Sequence, residues 1–292
     1  MDSILEVKNI EKTYPNNGFK LNKINFNVPK GSIVGIIGEN GSGKTTTLNL
    51  ILGLKSKDGG TVKIFGREFD IDDIDIKEKI GVSFDEIYLP SNLNAKEISK
   101  IYKSIYQGWD EKYFFSSLSN FGIDNGKKIG DYSKGMQKML SIVIAMSHSP
   151  NLLILDEPTS SLDPVKRSEV LEKFQEFIEN GERSIVFSSH ITTDIEHICD
   201  HVVFINKGNL IFASPTIELL YENCIVRCTS ESFNKLNKSN MIAYLQKNNQ
   251  VVVLLKSRDD LDKSTENIII ENPTLEEIMN IYSKGIVLWW DW

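Results

Sequence analysis

Cysteine is scarce in this chain of 292 residues, and Cys199, Cys224 and Cys228 are too few and too clustered for a disulfide framework. Cys224 and Cys228 lack the paired spacing of a zinc site, so reduced, structural thiols are the expected state. Long apolar runs are missing too. The longest, such as 141–146, 152–155 and 251–255, fall far short of the ~18 residues needed to cross a bilayer. Met1–Ile10 has neither the basic n-region nor the apolar run of a signal peptide. The chain is therefore expected to be soluble by itself and to borrow any membrane role from a partner. Positive charge is also in short supply: 33 Lys and Arg face 40 Asp and Glu, a net charge of -7. That balance argues against binding through phosphate neutralisation, and no nucleic-acid partner is expected.

What is present suits a globular protein with a sizeable core, 40% hydrophobic and 25% charged. At roughly 100–200 residues per domain, the length allows one large domain and a small one. Short apolar runs at 4–7 and 21–28, broken by turn residues, predict antiparallel strands. Continuous runs at Ile33–Ile37, Leu152–Leu155 and Ser184–Phe187 predict strands buried on both faces. Helices are predicted from Lys44 to Leu52 and from Val165 to Asn180. Between Ala95 and Ser147 the pattern turns helical, with Ile98, Ile101, Tyr102 and Ile105 at helical spacing, as are Met139, Leu140, Val143 and Ile144.

Gly38-Glu39-Asn40-Gly41-Ser42-Gly43-Lys44-Thr45, followed by Thr46, matches the phosphate-binding loop pattern, after a buried strand and before a helix. The chemistry explains the composition. Successive backbone N–H groups must turn inward around a phosphate, and side chains at Gly41 and Gly43 would obstruct that approach. Lys44 brings a point charge to the β- and γ-phosphates, and the Thr45 hydroxyl is placed to ligate Mg²⁺. The apolar run Leu152–Leu155 ends in Asp156 and Glu157. Asp156 is expected to hold Mg²⁺ and Glu157 to polarise an attacking water.

Asp131-Tyr132-Ser133-Lys134-Gly135-Met136-Gln137, ahead of an apolar helix, resembles the signature of the ABC transporter ATPases, and Ser133 precedes Asp156 at that family's usual spacing. The resemblance runs from about Ser3 to Leu220 and implies an α/β fold: a P-loop NTPase with a RecA-like core, an antiparallel β subdomain and a helical subdomain at about 88–148. It further implies that Tyr14 stacks on adenine, that 160–163, ending in Asp163, forms a loop at a dimer interface, and that His190 contacts the γ-phosphate. Ser133, Gly135 and Gln137 would meet the nucleotide of a second nucleotide-binding subunit, identical or paralogous, in a head-to-tail dimer. ATP and Mg²⁺ are the implied ligands. An integral membrane permease, docked near Asp85 and 94–106, is the implied partner, on the cytoplasmic face of a bacterial membrane.

Two departures stand out. Asp85 occupies the place where the family has Gln, and is expected to ligate Mg²⁺ there; Lys134 replaces the first Gly of the signature. The Ser-Lys-Gly-Met-Gln form resembles the export-type subfamily of drug, lantibiotic and peptide exporters, with phenol-soluble-modulin-type peptides among the conceivable cargoes. Importers and soluble ABC ATPases are the rivals. Against the latter, no long insertion separates Lys44 from Ser133, and one cassette is present. Residues 221–292 are expected to form a small α+β accessory domain beside the ATPase domain at 1–220, closing with a helix over Pro273–Tyr282 whose Thr274 and Glu277 make a capping box. The tail Leu288-Trp289-Trp290-Asp291-Trp292 is expected to pack in a groove of its own domain, with a membrane interface or partner as the alternative.

Overall fold

The continuous apolar runs do become strands buried on both faces. In a computed structural model that describes residues 2–15, 18–257 and 268–288, β3 (Ile33–Ile37), β7 (Leu152–Asp156) and β8 (Ser184–Ser189) are buried throughout. They run parallel with β6 (Ile80–Ser83) and β9 (His201–Asn206) in the order β9-β3-β8-β7-β6. β10 (Asn209–Pro215) folds back on β9 through Lys207-Gly208 and leads into an antiparallel wing. That wing holds β2 (Phe19–Pro29), β1 (Ser3–Tyr14), β4 (Gly59–Ile64) and β5 (Arg67–Glu68).

Helices α1 (Lys44–Ile51) and α2 (Ile74–Lys77) follow the first strands. Then come α3 (Ala95–Ile105), α4 (Glu111–Asn120) and α5 (Lys134–Met146), with α6 (Pro164–Ile178) and α7 (Thr192–Ile198) flanking β8. The helix expected around Ile98, Ile101, Tyr102 and Ile105 is α3; Ile98 is buried in it, while Ile101 and Ile105 are 42% and 59% exposed. Tyr102 stacks with Tyr106 and Trp109, and Tyr106 lies 4.0 Å from the His148 ring.

α5 lies on β6 closely enough to demand glycine. A Cβ at Gly81 would sit 2.2 Å from the Ala145 carbonyl oxygen and 2.5 Å from a Leu153 methyl. Gly81→Ala should therefore cost about 1–3 kcal/mol by overpacking, read as a lower urea midpoint at unchanged slope; an unaltered midpoint would show that α5 yields freely.

A second sheet gathers β11 (Cys224–Thr229), β12 (Met241–Lys247), β13 (Gln250–Leu255), β14 (Ile268–Glu271) and β15 (Ile286–Val287), with α8 (Ser230–Lys235) and α9 (Leu275–Lys284). The capping box on Thr274 and Glu277 is present. α9 joins the two sheets: Tyr282 packs against Phe212 at 5.5 Å, and the Leu275 N–H donates to Glu196 at 2.6 Å. The three cysteines are buried thiols. The tryptophans of the tail, Trp289, Trp290 and Trp292, lie outside the described residues.

Candidate nucleotide-binding site

β3 delivers the chain into the glycine loop, and α1 starts at its end with no acidic residue in its first turn, leaving the helix's positive pole uncompensated. Gly41 and Gly43 take φ of 78° and 117°, which side chains resist. Gly43 is doubly constrained, since a Cβ there would lie 2.8 Å from a Leu21 methyl and 3.1 Å from the Phe19 ring. Lys44 is folded inward and nearly buried; its ammonium donates to the Gly38 carbonyl at 2.8 Å and the Glu39 carbonyl at 3.4 Å, and meets Glu157 Oε1 at 3.3 Å. The Ser42 hydroxyl is buried with no hydrogen-bond partner. It lies against the Gly38 backbone, and the Ser42 N–H donates to the Glu39 carbonyl at 3.1 Å.

The carboxylates reach this loop by strand register. Asp156 pairs with Ser188 across β7 and β8, so the two chains leave the sheet side by side and Glu157 emerges next to His190. Asp156 is buried. Its Oδ1 accepts from the Ser188 hydroxyl at 2.5 Å and its Oδ2 from the Thr45 hydroxyl at 2.9 Å. Ser188 also fixes Glu157, whose N–H donates to the Ser188 hydroxyl at 3.0 Å. Glu157 adopts φ 47°, a left-handed backbone that a non-glycine residue holds only under constraint. That twist turns its carboxylate between two cation-capable groups, Lys44 and the His190 ring, with Nδ1 2.7 Å from Oε2.

Asn40, Gly41, Lys44, Thr45, Thr46, Asp85, Glu157 and His190 line one pocket of about 480 Å³. Among the described residues no group of three or more His, Cys, Asp and Glu could hold a metal unaided. Thr45 and Asp156 supply two hard oxygens, a set suited to Mg²⁺ that arrives with phosphates and keeps its waters. The aromatic in the lining is Phe19. Tyr14, its cross-strand partner, stands 6.2 Å away with Lys55 over its ring and a buried, unpartnered hydroxyl.

The signature lies elsewhere. Ser133 caps α5, accepting from the Met136 N–H at 3.2 Å, and is exposed; Gly135 packs over the Ser161 carbonyl; Gln137 donates to the carbonyls of Ile129 and Tyr132. Asp163 caps α6 through the N–H groups of Val165 and Lys166. None of these lines the pocket. Sequence reasoning missed three participants: Phe19, Ser188 and Lys138, whose buried ammonium holds Asp85 at 3.0 Å; Ser160, expected in an interface loop, also lines this pocket.

Residues 21–160 match the ABC transporter family. The chain is 36% identical over 230 residues to the lantibiotic transport ATP-binding protein SrtF of Streptococcus pyogenes, covering 76% of this chain and 98% of that protein. It is 31% identical over 263 residues to the bacitracin transport ATP-binding protein BcrA of Bacillus licheniformis, covering 89% and 81%. Among solved structures it resembles cbiO1 of Clostridium perfringens, part of the ABC transporter complex cbiONQ, with a TM-score of 0.63 and 26% identity over 75% of this chain and 90% of that one. A phosphate loop, two strand-end carboxylates and a remote signature helix thus have their explanation in common descent: the chain belongs to the ATP-binding subunits of ABC transporters.

Proposed function

We propose that this ABC ATPase powers export of a peptide antibiotic or related amphipathic compound through a separate membrane permease, as one half of a head-to-tail dimer. The carrying observation is a divided machinery: Lys44, Thr45, Glu157 and His190 share one pocket, while exposed Ser133 and half-buried Gly135 stand outside it. Two antiparallel copies would bring each signature helix to the other's pocket. ATP then becomes part of the interface, and closure follows from its differential binding to the closed pair.

In this reading the Gly38–Gly43 amides and Lys44 hold the β- and γ-phosphates, with Asn40, Ser42 and Thr46 alongside. Thr45 and Asp156 would hold Mg²⁺, which neutralises charge developing on the phosphates. Glu157 accepts a hydrogen bond from the attacking water, His190 keeps the glutamate aligned and reaches the γ-phosphate, and Tyr14 and Phe19 flank the base. The two sheets suggest an ATPase domain over 1–220 and an accessory domain over 221–292. Among the described residues no helix is long and apolar enough to cross a membrane. A groove of about 630 Å³, lined by Leu54, Phe84, Asp85 and Tyr88, suits a permease segment at the cytoplasmic face, and Tyr88 is 79% exposed there. The names of SrtF and BcrA support peptide-antibiotic cargo.

Cysteines placed at Asn40 and Lys134 test the dimer, since the native thiols are buried. ATP should drive oxidation to a covalent dimer, seen on a non-reducing gel. A crosslink confined to single chains would overturn the arrangement.

A further inference from the structure

Lys138 is among the most buried charges of the described residues, at 2% exposure. It lies in the second turn of α5, and its ammonium reaches the carbonyls of Phe84 at 3.1 Å, Asp85 at 3.0 Å and Asp156 at 3.4 Å, together with Asp85 Oδ1 at 3.0 Å. Three elements therefore meet on one cation: the end of β6, the end of β7 and the helix capped by Ser133. Burying an ammonium is costly unless an anion compensates it. Among the described residues Asp85 is the carboxylate within ion-pairing distance.

Asp85 is itself in a contested position. Its side chain is 55% exposed and lines the same pocket as Thr45 and Glu157. A carboxylate there is a hard oxygen donor for any divalent cation that Thr45 and Asp156 hold. A divalent cation held there would compete with Lys138 for this carboxylate, which Lys138 holds at 3.0 Å.

We propose that Lys138 is a positioning residue that sequesters Asp85, keeping a second carboxylate off the metal while it ties the Asp156 strand end to the signature helix. This rests on the reading of Thr45 and Asp156 as Mg²⁺ ligands. Releasing Asp85 would add an anion to the metal, tighten it and slow product loss. The pair also explains how a carboxylate is tolerated beside Asp156 and Glu157: its charge is already balanced from within the helix.

The test is Mg²⁺-dependent binding of a fluorescent ATP analogue to the full chain, with steady-state ATPase rates alongside. Lys138→Gln should lower the half-saturating Mg²⁺ about tenfold and kcat about tenfold, the scale of effect typical for outer partners of a metal site. Adding Asp85→Asn to that variant should bring both back to within about threefold of wild type, a rescue that a merely structural lysine would not give. Unchanged Mg²⁺ dependence in Lys138→Gln, or a double variant no better than the single, overturns the proposal. If Lys138→Gln does not fold, Asp85→Asn alone decides. An unmoved Mg²⁺ midpoint is expected, and a rise of about tenfold or more would make Asp85 a working ligand and overturn it. Wild-type binding that ignores Mg²⁺ would instead sink the metal reading beneath.

Discussion

Glu157→Gln should bind ATP as well as the wild type and hydrolyse it at least ~10²–10⁴ times more slowly, the loss expected for a general base. The substitution is nearly isosteric, so the held backbone at φ 47° and its N–H bond to Ser188 should persist. What changes is the chemistry of the side chain. An amide cannot take a proton from water, and it no longer gives Lys44 an anion at 3.3 Å. Lys44 keeps the Gly38 and Glu39 carbonyls and is more available to a phosphate, so affinity should hold or rise. With chemistry blocked, the ATP-bound dimer should accumulate and shift gel filtration to twice the monomer mass. Single-turnover phosphate release measures the rate directly. Turnover within about threefold of wild type would remove Glu157 from the role, because a general base cannot be worth so little.

The phosphate loop was legible in the sequence because its chemistry is local: consecutive amides, two flexible glycines, a lysine and a hydroxyl must be contiguous to surround one phosphate. The pairing of Glu157 with His190 was legible as two separate motifs, and their contact follows from the in-register strands that carry them. Lys138 was not legible. Nothing in a helical pattern separates a lysine that turns inward to three strand-end carbonyls from one that is solvated. Ser188 was hidden in the same way inside an apolar strand, where its hydroxyl donates to Asp156 and accepts from the Glu157 N–H. The spacing of Ile98, Ile101, Tyr102 and Ile105 gave the helix, but not which of them is buried: Ile98 is, while Ile101 and Ile105 stay exposed and Tyr102 joins an aromatic stack that reaches His148. In the accessory sheet the apolar runs of β11 and β13 were readable, whereas β14 and β15 are short edges whose exposed Ile269 and Ile286 carry little pattern.

Lys44→Ala should lose nucleotide binding outright at ordinary concentrations. The side chain is 6% exposed and its ammonium is turned to the Gly38 carbonyl within the loop, in the lining of the pocket a triphosphate would enter. Truncating one partner of such a buried charge pair costs about 2–5 kcal/mol, or roughly 30- to 4000-fold in affinity. Part of that loss has a second origin: Glu157 Oε1, which lies 3.3 Å from the ammonium, would lose its cation and repel a bound phosphate. The two contributions separate experimentally. Lys44→Ala combined with Glu157→Gln removes the repulsion and should recover a measurable part of the affinity, while the hydrolysis rate stays at the floor. Lys44→Arg keeps the charge, but its planar fork does not fit a site built around a point donor to Gly38 and Glu39, and should bind weakly. Calorimetric titration with ATP and Mg²⁺ distinguishes these outcomes, and binding by Lys44→Ala that matches wild type would take the triphosphate out of this loop.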